Sequence, residues 1–314
     1  MLAWRMRVSE RVMTRVFWSA CVSACVLVFP VTTGAWGMDV HRLITGRAID
    51  GMPPEIKSFF AAERAFITEH SVDPDLWRIM DLRGERGEEP PNHFLDMDFE
   101  EGSKPPFLNI PREYDAYVQK YGAGPATRYG RLPWRAEEVY NRMVASFRDV
   151  GKPNVPYAAE NARYALAVLA HYIEDAHQPF HAVLNYDGQL TNQRGVHSRF
   201  ETELVLRNHK DLKLAPAKAA VITGGFRDYM FKTLIDSQGL VEGILAADLK
   251  AAQGREFYDD AYFDAFLKGA RVTTERRLSE AASAVASAAL TAWTEAGKPA
   301  LPTDAARQPA RIRR

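Results

Sequence analysis

Residues 157–181 read YAAENARYALAVLAHYIEDAHQPFH, and this stretch decides the class of the fold. It holds no Gly or Pro before Pro179, and its apolar side chains Leu166, Val168, Leu169 and Ile173 keep a helical period. The spacing predicts a helix over Tyr157–His177 that Pro179 stops. So apolar a helix must be covered by other elements, and the flanking sequence offers mainly helices. Val196 to Arg207 reads as a further helix, and Tyr258 to Ala296 as one or two long Ala-rich ones. Upstream, His41–Met52, Glu55–Glu69, Pro111–Tyr121 and Trp134–Val150 are amphipathic, and Pro54 suits the first turn of the second of these. No long alternating run signals a strand, while Leu82–Pro91 and Glu101–Pro111 are irregular, rich in Gly, Pro and charge. The expectation is a single compact all-α, multi-helix domain over residues 36–296.

The two ends read differently from the middle. Arg5, Arg7, Arg11 and Arg15 precede Val16–Val31, a nearly uncharged apolar run, and Thr33-Gly34-Ala35 offers small residues for cleavage. The run is shorter than the about 20 residues a spanning helix needs. Residues 1–35 are therefore expected to be a signal peptide, which places the mature protein in the periplasm or outside the cell. An uncleaved anchor and a lipoprotein ending its signal at Cys25 are the alternatives. Cleavage would remove both cysteines, Cys21 and Cys25, so neither a disulfide scaffold nor a thiolate zinc site is expected. Residues 297–314 carry three Pro and four Arg and read as a disordered basic tail. Forty basic residues balance forty acidic ones, so no global field recruits nucleic acid or an anionic membrane. No protein partner is legible, and a monomer is the expectation.

Histidines and acids recur at telling intervals. His171 and Asp175 lie four apart on one helix face, His181 follows the Pro179 break, and His197 and Glu201 are again four apart. Imidazole and carboxylate are the ligands Zn²⁺ takes when thiolate is missing. A lone pair of this kind is ordinarily a surface ion pair. The residues alone leave both readings open. A freed Trp36 would add an α-amino group close to His41, where a metal can displace its proton.

These residues resemble the zinc-dependent phospholipases C of bacteria and the related single-strand-specific nucleases. The resemblance rests on Trp36 and His41 through Asp50, on His171-Tyr-Ile-Glu-Asp175-Ala-His-Gln-Pro-Phe-His181, and on Gly195-Val-His197-Ser-Arg-Phe-Glu201, spanning Trp36 to about Arg207. It implies a helical fold with three zinc ions in a cleft. Trp36, His41 and Asp175 would hold one ion; Asp175, His171, His93 and an upstream Asp a second; His181, His197 and Glu201 the third. Asp75, followed three residues later by Arg78, fits the upstream position, with Asp73 as competitor. His70, His177 and His209 match no ligand position, and Asp96 and Asp98 read as solvated loop acids or as supports for ligands.

Such a cluster supports hydrolysis of a phosphodiester by metal-activated hydroxide attacking phosphorus, with Asp75 orienting or deprotonating the water. Glu201 and the Arg47-Ala-Ile-Asp50 run are more like the phospholipases, and the short Trp36-to-His41 gap more like the nucleases. The substrate expected is thus phospholipid, or else nucleic acid. An exported, non-catalytic zinc-binding protein is the reading from another class. A di-iron bundle is disfavoured, because Glu174 with His177 is the one Glu-x-x-His pair in place.

Overall fold

Burial of the helix that carries His171 organises the chain. The computed structural model describes residues 37–84 and 88–302, and the expected signal segment, Trp36 and residues 303–314 lie outside them. The fold is all-α. In chain order the helices are α1 (Met38–Asp50), α2 (Pro54–Ala61), α3 (Arg64–His70), α4 (Asp73–Gly84), α5 (Tyr114–Tyr121), α6 (Ala123–Arg128) and α7 (Leu132–Asp149). There follow α8 (Ala158–Ala176), α9 (Val196–Ser198), α10 (Leu204–Asn208), α11 (Phe226–Gln238), α12 (Val241–Ala252) and α13 (Asp260–Glu295). Among the described residues the sole β-pairing is an isolated antiparallel bridge between Leu95 and Gly130. No described helix is long and apolar enough to cross a membrane.

Helix α8 is enclosed by α1, α3, α7, α11 and α13. Every residue from Ala165 to Ala176 is buried. Helix α13 is a single 36-residue element where one or two helices were expected. Its buried Ala281, Ala282, Ala284, Ala286, Ala288 and Ala289 let neighbouring backbones approach closely. The expected Glu55–Glu69 helix is two, α2 and α3, which turn between Ala61 and Arg64 so that Phe59, Phe60 and Ile67 all reach the core. Helices α4, α6, α11 and α12 add to what the sequence reading placed, and α4 overlaps the start of the stretch read as irregular.

An extended strap, residues 212–224, lies along α13. Its N–H groups have no strand to pair with, so the helix supplies acceptors at every fourth position. Lys213 donates to Glu275, Ala215 to Ser279, Lys218 to Ser283, Ala220 to Ser287 and Ile222 to Thr291, over 2.9–3.2 Å. Each of the four hydroxyls in turn donates to the carbonyl four residues earlier in α13. A hydroxyl both donates and accepts, which is why Ser and Thr suit this face of the helix and Ala does not. Residues 297–302 fold back on the end of α13, with Trp293 Nε1 donating to Pro299 O at 3.0 Å.

Ser287→Ala removes the acceptor of the Ala220 N–H. It is expected to cost about 1 kcal/mol, the usual net worth of one such hydrogen bond. A urea midpoint identical to that of the parent protein would show that this ladder does not hold the strap.

Candidate metal centre

Seven elements deliver acids and imidazoles to one buried region, His197 coming from α9. Helix α1 brings His41 and α4 brings Asp75. A 3-10 turn, Pro90–His93, ends on His93. Helix α8 carries His171 and Asp175, and a second 3-10 turn, Pro179–Ala182, carries His181. The stretch expected as one helix from Val196 is broken: α9 passes into a π-helical turn, Arg199–Glu203, before α10. That wider turn holds Glu201, and such turns recur at functional sites. It is pinned by Arg199, which donates to Asp248 at 2.9 Å, to the Tyr262 hydroxyl at 3.0 Å and to the carbonyl of Arg194 at 2.8 Å. Segment 91–97 ties the two turns together. Leu95 N donates to His181 O, Met97 N to Ala182 O and Asp96 N to Tyr129 O, all at 2.9–3.0 Å. Gly130 faces this segment at φ +90°, and a Cβ there would lie 2.0 Å from Phe94 O, so only glycine fits.

Three groups of potential ligand atoms result, and each can hold a metal ion. They are His41, Asp75 and His171; His93, His171 and Asp175; and His181, His197 and Glu201, all buried and each set within 4.8 Å. His171 belongs to two of them, and its ring stacks on that of His41 with centroids 4.0 Å apart. Asp175 faces both ways. Its Oδ2 is 2.9 Å from His93 Nδ1 and 3.3 Å from His171 Nε2, while its Oδ1 is 3.7 Å from His41 Nε2. Asp75 Oδ1 stands 4.0 Å from both His93 Nδ1 and His171 Nε2, and 3.2 Å from the Arg78 guanidinium. Asp73 points elsewhere, accepting from His70 Nδ1 and the Tyr164 hydroxyl, each at 2.9 Å.

The hydrogen bonds behind the rings fix their tautomers. His171 Nδ1 donates to Ser71 O at 2.9 Å, His181 Nδ1 to His93 O at 2.6 Å and His197 Nδ1 to Tyr186 O at 3.0 Å. A carbonyl can only accept, so each Nδ1 bears the proton and the neutral ring presents the Nε2 lone pair to the interior. At His197 burial opposes charge, but Glu201 raises the pKa, so there Nε2 shares a proton with Glu201 until a cation replaces it. His181 Nε2 and His197 Nε2 then face each other at 3.2 Å, and Glu201 Oε2 lies 2.9 Å from the latter. Three acceptors meeting in a dry site repel unless a proton or a cation sits among them. A tetrahedral zinc with bonds of about 2.0–2.1 Å separates its nitrogens by about 3.3 Å, the spacing found here. His41 Nε2, Asp175 Oδ1 and Glu201 Oε1 are buried with no hydrogen-bond partner, which is the state expected of ligand atoms. The donor set therefore fits metal ions.

Electrostatics sort the groups. Burial lowers His181 to about 3, so it stays neutral and able to ligate. Burial and the nearby His171 also push His41 well below its usual value. Against the burial that opposes charge, His171 and His181 hold Asp175 well below the carboxylate range. Burial raises Glu201. His93 goes the other way: burial opposes its charge, but hydrogen bonding to Asp175 and to Glu89 carries it up to about 9.

A cavity of about 300 Å³ opens over the cluster, lined by Arg78, Phe94, Asp96, Arg128, Tyr186 and His197 among others. Asp96 corrects one expectation: it is buried, with Oδ1 lacking a hydrogen-bond partner, and burial beside Asp98 raises its pKa well above the ordinary value. Asp98 is half-buried and accepts from Leu184 N at 2.8 Å, so neither acid is a solvated loop residue. Of the unassigned histidines, His177 is in the core with Nδ1 donating to Ile173 O, His70 pairs with Asp73, and His209 is exposed. Glu174 had no place among the expected site residues, yet it is fully buried against His41. The expected ligand Trp36 lies outside the described residues, but Gly37 beside it abuts Thr202, the neighbour of Glu201. Comparison with protein-family models finds no match for this chain, and comparison with curated proteins finds none either.

The sign of the His93 shift gives a prediction. Its folded value exceeds the ordinary 6.5, so it stabilises the metal-free fold below about pH 6.5 and loses that contribution as pH rises through about 9. Zinc must displace this proton, so binding strengthens over the same window. Calorimetry in buffers of different ionisation enthalpy should find at least one proton released per protein at pH 7.5, with the His93 share gone above about pH 9. No release at pH 7.5 would contradict the assignment.

Proposed function

We propose that the protein is a zinc-dependent phosphodiester hydrolase related to the bacterial phospholipases C and single-strand-specific nucleases. The carrying observation is the convergence of imidazole lone pairs and carboxylates on the floor of a cleft flanked by Arg78 and Arg128. Zinc bound there would supply Lewis acidity and neutralise charge developing at phosphorus. The chain's own groups do the rest. Arg78 and Arg128 offer guanidinium donors to the non-bridging phosphate oxygens. Arg78 also pairs with Asp75 at 3.2 Å and so holds its carboxylate towards the cluster. From there Asp75 can take or orient the proton of an attacking water. Phe94, Phe180 and Tyr186 line the cleft with apolar surface that excludes bulk water. Export belongs to the same proposal, because cleavage before Trp36 would free an amine one residue ahead of Gly37, and Gly37 itself abuts Thr202.

Phospholipase C-like activity is the leading form, supported by Glu201 and by the Arg47-Ala-Ile-Asp50 run. One observation favours the nuclease form. In the same cleft Phe94 offers a ring face and Asp96 a buried carboxyl whose Oδ1 has no hydrogen-bond partner, a pairing that can stack on a base and bond its edge.

Asp75→Asn is expected to lower turnover by at least about 10²-fold, the scale of lost general-base catalysis, while the zinc content measured by native mass spectrometry stays unchanged. Near-parental turnover with full zinc would remove Asp75 from the chemistry. Competition between lecithin and single-stranded DNA separates the two substrate readings: preferential cleavage of DNA would overturn the phospholipase form. Cleavage of neither substrate by the zinc-loaded mature chain would overturn both.

A further inference from the structure

Two successive acids of α8 grip opposite edges of one imidazole. Asp175 faces His41 Nε2, with Oδ1 at 3.7 Å, and Glu174 meets His41 Nδ1, with Oε2 at 2.5 Å. Both carboxylates and the ring are fully buried. The second oxygen of Glu174 is also held: Thr45, one turn beyond His41 on α1, donates its hydroxyl to Oε1 at 2.7 Å. With both oxygens engaged, the carboxylate cannot swing away, and α1 is keyed to α8 at this point. A buried acid next to another buried acid is costly. His171, His181 and His197 show the neutral solution, each donating Nδ1–H to a backbone carbonyl. His41 differs in taking this backing from a side chain whose other oxygen is itself anchored by Thr45, and a hydrogen-bonded group behind a ligand imidazole fixes its tautomer and ring orientation.

We infer that Glu174 is a positioning residue for the metal centre, fixing the Nδ1–H tautomer and the direction of His41 so that Nε2 is presented beside Asp175, and thereby governing retention of the ion that His41 holds. The inference rests on the metal-centre reading above and adds to it a residue outside the ligand set. The geometry makes the effect selective. Glu174 touches neither His181 nor His197, whose backing oxygens come from His93 and Tyr186. Glu201 is backed separately, by Gln178 Nε2 at 3.0 Å.

The test follows zinc release from the full exported chain by native mass spectrometry during titration with a chelator. Glu174→Ala is expected to lose one ion at a chelator activity about 10–100-fold lower than the parent requires, with release of the remaining ions unchanged. Glu174→Gln keeps an amide oxygen for the Nδ1 proton and should show a smaller loss. Thr45→Val frees one carboxylate oxygen without touching the ring. It should weaken the same ion, and it carries the test if the Ala variant does not fold. Nitrogen NMR of the imidazoles supplies a readout that packing alone would not move: His41 should be the Nδ1–H tautomer in the parent and the Gln variant, and a tautomer mixture in the Ala variant. Equal weakening of every ion, or unchanged release and tautomer in Glu174→Ala and Thr45→Val, would overturn the inference while leaving the metal centre standing. A parent protein that binds no zinc would overturn the metal-centre reading itself, and the inference with it.

Discussion

A neutral imidazole that already donates from one edge has only a lone pair to offer from the other. Three rings in this protein are anchored in that way, by the carbonyls of Ser71, His93 and Tyr186. Their Nε2 atoms point at each other and at Asp175 and Glu201 inside a buried region. Like partial charges so arranged repel strongly at low dielectric. The surrounding helices must therefore hold the rings in place against that repulsion, and a cation placed among them turns repulsion into binding. Much of the architecture serves this constraint. Helix α8 is buried on every side near its C-terminal end, segment 91–97 is pinned to 129–132 and 181–182, and the Arg199–Asp248–Tyr262 group clamps the π-helical turn.

The cleft and the cluster divide the work. The cluster gathers imidazoles and carboxylates, so it suits cations. The cleft above it carries two guanidinium groups and aromatic faces, so it suits an anion with an organic substituent. A phosphodiester has that character. The rear of the site is not passive either. His41 is backed by Glu174, and His93 has Glu89 3.6 Å from its Nε2. The imidazoles thus fall into two kinds, those backed by neutral carbonyls and those with an acid behind them.

The sequence showed a good part of this, for identifiable reasons. The period of Leu166, Leu169 and Ile173 signals a helix, and Pro179 its end. Four-residue spacing puts His171 beside Asp175 whatever the rest of the chain does. Other parts were hidden. Asp96 stands in the short stretch between two irregular segments and looks like a loop acid; it is buried because 95–97 bonds to Tyr129, His181 and Ala182, partners 33 and more residues away in the chain. Helix α11 carries Phe226, Met230 and Leu234 at a helical interval, a signal that was there to read. The strap along α13 is different, since its regularity lies in hydroxyls of a distant helix rather than in its own residues.

By itself, then, the sequence determined the helical class and the local pairs, His171 with Asp175 and His197 with Glu201, because spacing along a helix is fixed by its pitch. Tertiary structure decided which acid joins them. Asp73 and Asp75 are two residues apart and chemically alike, yet they leave α4 in different directions, one towards Tyr164 and the other towards His93 and His171. It also decided that Glu174 stands behind His41, a contact between residues 133 positions apart that no local period encodes.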